Sequence, residues 1–240
     1  MRKVNTLAMF EAITRKFHFR FKDRGTAANI LGESLKDRVK KEERGSIVVL
    51  GIPRGGVITA DIVAKKISSP LFDIVIPRKL TDPDNKEEAV GAIMEDGTTY
   101  LDEELINDLQ IASEYLEKEK SYQIEEIRRR SSLYRTPTTT DYNLADKTVI
   151  LVDDGAATGA TIIAAARWIR KTEHAPKRLI IAVPVAPKDT VKLLKHEADI
   201  VEVVTSPSSI FHSVGQFYQD FSPVTDQQVM EIMRNRSRLR

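Results

Sequence analysis

Four apolar residues, Val149, Ile150, Leu151 and Val152, run without interruption into two adjacent carboxylates, Asp153 and Asp154. A loop of small residues follows, with Gly155, Thr158, Gly159 and Thr161, and then a helix-like run over 162–169. A strand apolar at every position suits a sheet covered on both faces, as parallel sheets are. Strand, acid pair, glycine loop and helix together form the layout of a site that holds a phosphorylated sugar.

The rest of the chain repeats the unit. The apolar stretch 46–52 leads into Pro53-Arg54-Gly55-Gly56 and a helical stretch over 57–66. A second strand is predicted over 71–77, delivering Arg78 and Lys79 just beyond its end, and a short one over 89–95. Further strands are predicted at 179–184 and 200–204, with a helix over 189–196 between them. Strands alternating with helices indicate an α/β fold with a central, mainly parallel sheet flanked by helices. Right-handed crossovers then bring the loops after 52, 77, 152 and 183 to one sheet edge, where they form a ligand crevice.

Other segments stand outside this alternation. Residues 1–25 interleave Phe10, Phe17, Phe19 and Phe21 with basic residues, and the alternation over 17–21 predicts a short strand or extended arm on a core edge. An amphipathic helix is expected over 26–41. The stretch 102–134 is polar and free of Gly and Pro, with Leu105, Leu109, Ala112 and Leu116 at helical steps. As one helix it would be about 50 Å long, with any break expected near Ser121, and would serve as a lid or an oligomerisation arm. The segment 206–226 carries Phe211, Phe217, Tyr218 and Phe221, and could line a pocket or pack as a cap. A short helix begins over 229–233, and Arg234, Arg236, Arg238 and Arg240 are expected to form a frayed tail.

Composition removes several classes of function. The 240 residues suffice for one substantial core, or one core with an insertion. The 37 basic and 35 acidic residues leave a net charge of +2, so no nucleic-acid partner is expected. There is no cysteine for a disulfide, thiolate zinc site or nucleophile. The four histidines lack ligand spacing. No apolar run approaches the length of a membrane span, and no signal peptide is seen, so a cytoplasmic enzyme or regulator is expected.

At the crevice, a loop opening a helix offers backbone N–H groups to an anion. The 155–161 loop lacks the lysine of a nucleoside-triphosphate loop and the GxGxxG dinucleotide fingerprint. Carboxylates beside a phosphate cradle require a further partner. Ribose hydroxyls provide one, with or without Mg2+, because they donate to or share coordination with carboxylates.

The stretch DDGAATGAT, 153–161, resembles the ribose-phosphate motif of type I phosphoribosyltransferases. IPRGG at 52–56, IPRKL at 76–80, AVGAI at 89–93 and VGQFYQDF at 214–221 extend the resemblance to an uncharacterised branch of predicted phosphoribosyltransferases, over roughly 17–233. The resemblance implies one domain over 1–240, with a helical insertion at 97–135 and a hood at 206–226. It implies a glycosyltransferase of nucleotide metabolism that moves a phosphoribosyl group from phosphoribosyl diphosphate to a small-molecule acceptor, with Mg2+ as cofactor, in a homo-oligomer. By the same resemblance Asp153 and Asp154 hold the ribose hydroxyls, and the metal directly or through ligand or water. Gly155, Ala156, Ala157, Thr158, Gly159, Ala160 and Thr161 cradle the 5′-phosphate. Arg54, Gly55 and Gly56 form the pyrophosphate loop, which in this fold often contains a non-proline cis peptide. Arg78 and Lys79 meet the leaving pyrophosphate, and Phe211 and Phe217 are candidates to stack on the acceptor.

One position departs from the family pattern. Hypoxanthine-guanine enzymes place an aspartate where Ala157 stands. Alanine has no proton to exchange with a purine ring, which argues against a 6-oxopurine acceptor. Two alternatives stay open beside transfer: a non-catalytic sensor of phosphoribosyl ligands, and a related hydrolase or phosphotransfer enzyme.

Overall fold

The computed structural model describes residues 20–39, 46–135, 143–171, 175–207 and 211–238. The N-terminal arm up to residue 19 and the linker 136–142 lie outside them. So do His18, His174 and Arg240.

The frame is a five-stranded sheet of β1 (Ile47–Gly51), β2 (Leu71–Ile74), β6 (Thr148–Val152), β7 (Arg178–Val185) and β8 (Ile200–Thr205). Its order is β2-β1-β6-β7-β8 and every pairing is parallel. Side chains alternate between two cores. Ile47, Val49, Ile150, Val152, Ile180 and Ala182 face one; Val48, Leu50, Val149, Leu151, Leu179 and Ile181 face the other. Both faces being covered, β1 and β6 are buried along their whole length, which is why these strands are apolar without alternation. At the edge, β8 does alternate, and its buried Glu202 is held by Arg38 at 3.0 Å.

Helices α1 (Arg24–Lys36) and α2 (Gly55–Lys66) belong to the first core. Helix α5 (Ala160–Lys171) belongs to the second, burying Ile162, Ile163, Ala166 and Ile169. Leu31 and Leu35 of α1 are fully buried, so truncating either to alanine costs about 2–5 kcal/mol.

Three predictions change. The run 71–77 is not one strand. Strand β2 stops at Ile74, and Arg78 and Lys79 open β3 (Arg78–Thr81) of a separate antiparallel ribbon. Pro77, without an N–H, cannot donate to a ladder at the junction. The ribbon continues through β4 (Ala89–Ile93) and β5 (Thr99–Leu101), the latter unforeseen.

The single helix expected over 102–134 is two: α3 (Glu103–Asp108) and α4 (Ser113–Tyr134). Gln110, at φ 53°, turns the chain between them, so the break does not fall at Ser121. Leu109 and Ala112, which suggested a continuous apolar stripe, are exposed. Helix α4 is about 33 Å long. It buries Leu116, Gln123, Ile127 and Tyr134 on one face, and it packs on β3 and β4.

The terminal arginines are not all a frayed tail. Arg234 and Arg236 lie within α7 (Asp226–Ser237) and Arg238 caps it; α7 follows α6 (Lys188–Leu194) and a 3-10 turn (Val214–Phe217). Arg236 of α7 donates to Asp61 of α2 through Nε and to its carbonyl through Nη2, both at 2.7 Å.

Candidate active site

From β1 the chain crosses to β2 on one side, and the next strand of this sheet, β6, returns on the other. Such a reversal opens a crevice at the carboxyl ends of the two central strands. Two loops meet there: 52–55 after β1 and 153–159 after β6. The Pro53–Arg54 peptide in the first of them is cis.

The loops pack through the acid pair. A Cβ on Gly55 would lie 1.9 Å from Asp154 Oδ2, and one on Gly56 would lie 2.6 Å from Asp153 Oδ1. Glycine is needed because only a hydrogen fits between this backbone and the carboxylates. Asp153 Oδ1 accepts the Asp154 N–H at 2.8 Å. Burial pushes both carboxyls above the usual carboxylate range. The neighbouring Asp154 charge adds to the rise at Asp153, and Arg24 opposes it at Asp154. Lys79, exposed on β3, adds a favourable charge towards Asp153.

The 155–159 loop is held from behind. The Ala156 N–H donates to Val185 O at 2.9 Å, and the Thr190 hydroxyl donates to Ala157 O. Gly159, at φ 80°, turns the chain into α5. Among the described residues the N–H groups of Ala157, Thr158, Gly159 and Thr161 have no protein acceptor. They gather at the amino end of α5, where the helix dipole favours an anion. Ala160 N–H has only a 3.4 Å contact with the exposed Thr158 hydroxyl.

Arg54, on the rim, is 3.6 Å from Asp226, which also accepts from the buried Tyr134 hydroxyl at 2.5 Å. Arg78 turns towards α4 and donates from Nε to Gln123 Oε1 at 2.8 Å. Burial, with Arg130 nearby, lowers the pKa of Arg78. In the segment expected to form the hood, Phe217 is buried and stacks with Phe211 at 4.8 Å between centroids. The half-buried ring of Phe211 is therefore the better placed of the two to meet a ligand. Val214 closes over Gly155, where a Cβ would lie 2.4 Å from Val214 Cγ1.

The sequence reading did not place Arg24 at the site, and it offered Tyr218 only as a pocket-lining or capping aromatic. Arg24 donates from Nε to Asp154 Oδ2 at 2.6 Å, and the Tyr218 hydroxyl donates to the Asp154 carbonyl at 2.6 Å. Arg24 had a signal. Asp23 caps α1 by accepting the Thr26 N–H, which puts a cation at the first helical position, against the dipole. The Tyr218 bond had none, since its partner is a backbone carbonyl far along the chain.

A concavity of about 430 Å3, lined by Arg167, Arg170, Lys171, His196, Glu197 and Asp199, lies at the opposite strand edge. Its arginines are paired, Arg167 with Glu197 at 2.9 Å and Arg170 with Asp199 at 2.6 Å. Among the described residues, no helix is long and apolar enough to cross a membrane. No group of three or more His, Asp or Glu there could hold a metal by itself.

Comparison with known proteins bears on the family and the fold. A family model for the phosphoribosyl transferase domain matches residues 21–222. Two Mycobacterium tuberculosis proteins provisionally named phosphoribosyl transferases, Rv0571c and MT0597, are each 35% identical over 213 residues, 89% of this chain. The match takes in 46% of each, so the chain spans about half the length of these relatives. The crystal structure of TT1426 from Thermus thermophilus is 36% identical, with a TM-score of 0.70 over 90% of this chain and 99% of that one.

Proposed function

The chain belongs to the phosphoribosyl transferase family, and we propose that it transfers a phosphoribosyl group from phosphoribosyl diphosphate to a small-molecule acceptor, releasing pyrophosphate. The observation that carries the reading is the acid pair: two carboxyls folded against a glycine-opened loop, beside a row of N–H groups with no protein acceptor among the described residues.

In this reading the N–H groups of Ala157, Thr158, Gly159 and Thr161 bind the 5′-phosphate. Asp153 and Asp154 accept from the ribose hydroxyls. The PRGG loop, with Arg54 on its rim, and Lys79 meet the diphosphate. Substitution at the sugar carbon needs an aligned acceptor, a stabilised leaving group and exclusion of water rather than a covalent intermediate. Val214 and Phe211 of the hood cover the acceptor side. Arg78, drawn to Gln123, makes α4 the wall behind the diphosphate.

Mg2+ fits this donor set. It commonly binds through one or two carboxylates, substrate phosphates and water, without a cage of protein ligands. Asp153 or Asp154 would hold it, directly or through water, and when bound it would neutralise charge on the departing diphosphate. We further propose a single domain over 1–240, cytoplasmic and homo-oligomeric.

A pyrophosphate-release screen over purines, pyrimidines and amine acceptors, with product masses, tests the reading. Release with one acceptor and a product heavier by a phosphoribosyl unit is expected. Tight binding of phosphoribosyl diphosphate without release for any acceptor would favour a sensor. Release with water alone would favour a hydrolase.

A further inference from the structure

Arg24 lies outside the acid-pair motif and comes from a different element, yet its guanidinium joins three parts of the crevice. Nε donates to Asp154 Oδ2 at 2.6 Å. Nη1 donates to Ser222 O in the hood at 2.8 Å. Its Cζ lies 3.8 Å from the centre of the Phe221 ring. The third part is the PRGG loop, because a Cβ on Gly55 would lie 3.0 Å from Arg24 Nε. The side chains of Arg24 and Asp154 are only 11% and 14% exposed, so the pair is little screened by solvent.

From this geometry we infer that Arg24 is a positioning residue: it fixes the Asp154 carboxylate so that Oδ1 faces the sugar hydroxyls, and it fastens the hood to the ribose site. The inference rests on the phosphoribosyl reading and deepens it. Arginine suits the task because the planar fork bonds a carboxylate and a carbonyl at once while its face stacks on a ring. Tyr218 braces the same residue from the hood by donating to the Asp154 carbonyl, and its own ring stacks with Phe221 at 4.8 Å. Without Arg24, Asp154 Oδ2 loses its donor, and the carboxylate can turn from the sugar. The cradle N–H groups of the 157–161 loop do not touch Arg24 and keep their arrangement.

The prediction is therefore selective. Arg24→Ala should weaken recognition of the sugar hydroxyls and spare recognition of phosphate. Binding of ribose 5-phosphate and of 2,3-dideoxyribose 5-phosphate is measured by calorimetry for wild type, R24A and R24K, with melting curves for each. The preference for the hydroxylated ligand should fall about tenfold in R24A, the scale of one charge-assisted hydrogen bond. It should fall less in R24K, which keeps a charged donor without the fork. Affinity for the dideoxy ligand should stay within about twofold. If R24A does not fold, R24K carries the test alone.

An undiminished preference in a folded variant, or equal losses for both ligands, overturns the inference while leaving the phosphoribosyl reading intact. A wild-type protein that shows no preference for the hydroxylated ligand overturns both.

Discussion

Two arginine–aspartate pairs in this molecule are close to identical in form. At the crevice Arg24 meets Asp154 at 2.6 Å; between α7 and α2, Arg236 meets Asp61 at 2.7 Å. Side-chain exposures are 11% and 14% in the first pair, 10% and 12% in the second. Each arginine also bonds a backbone carbonyl and lies over a phenylalanine ring, Phe221 or Phe72. The surroundings differ. Asp61 is flanked by a second cation, Lys65 at 2.7 Å, so two positive charges serve one carboxylate. Among the described residues Arg24 pairs with Asp154 alone, and the adjoining Asp153 has no ion pair, only the favourable charge of Lys79, so the two carboxyls are less fully compensated. The first arrangement is satisfied and holds a helix in place. The second keeps unmet negative charge at the mouth of the crevice, suited to hydroxyl groups or a cation. Pair geometry alone does not separate a clamp from a site; the local charge balance does.

The comparison breaks most visibly at the clamp. Arg236→Ala should destabilise the protein by about 3 kcal/mol, because it removes two largely buried charge-assisted hydrogen bonds and the packing on Phe72, leaving Asp61 with Lys65 alone. Affinity for phosphoribosyl diphosphate should be unchanged, as seen by denaturant titration beside calorimetry. A large loss of affinity would mean that α7 serves the site as well as the frame.

Gly55→Ala tests the close packing at the other pair. A Cβ there overlaps Asp154 Oδ2, so the loop or the carboxylate must shift. A loss of about 1–3 kcal/mol in stability is expected, together with at least about tenfold weaker binding. Normal binding in G55A would show that the contact is not needed for the site to form.

A third cluster sharpens the charge argument with a smaller effect. Glu126 on α4 is held by Arg129 and Arg130, both at 2.7 Å, again two cations to one acid. The Arg129 bond is the main cause of its carboxyl pKa falling from the usual 4.5 to about 2. Since the folded value is the lower one, the stabilisation is complete above pH 4.5 and is lost as pH falls towards 2. Glu126→Gln should therefore lower the stability slightly at pH 7, by no more than about 1 kcal/mol. The difference from wild type should vanish near pH 2.

How much of this was legible in sequence depended on the range of the interactions. The central strands could be read because burial on both faces imposes unbroken apolar runs, as in 149–152. The glycine loops and acid pair could be read because their chemistry is contiguous. Strand β5 is only three residues long and half-buried, so it gave no pattern. The break at Gln110 was hidden by leucine and alanine spacing of which Leu109 and Ala112, on either side of the turn, are exposed. The length of α7 was visible in principle. Thr225 and Gln228 form a capping box three residues apart, whereas the arginine run suggested a tail. Arg24 and Asp154 lie 130 residues apart, and no local pattern joins them.

The central claim is that the acid pair is a ligand site that burdens the empty protein, not a structural turn. D153N/D154N removes two carboxylates that repel one another while preserving their shape. Calorimetry with phosphoribosyl diphosphate and Mg2+, set beside melting curves in metal-free buffer, measures both sides. Binding should weaken about a hundredfold, the scale of two charge-assisted contacts, while the ligand-free melting temperature holds or rises. Unchanged binding in a folded double variant would contradict the account.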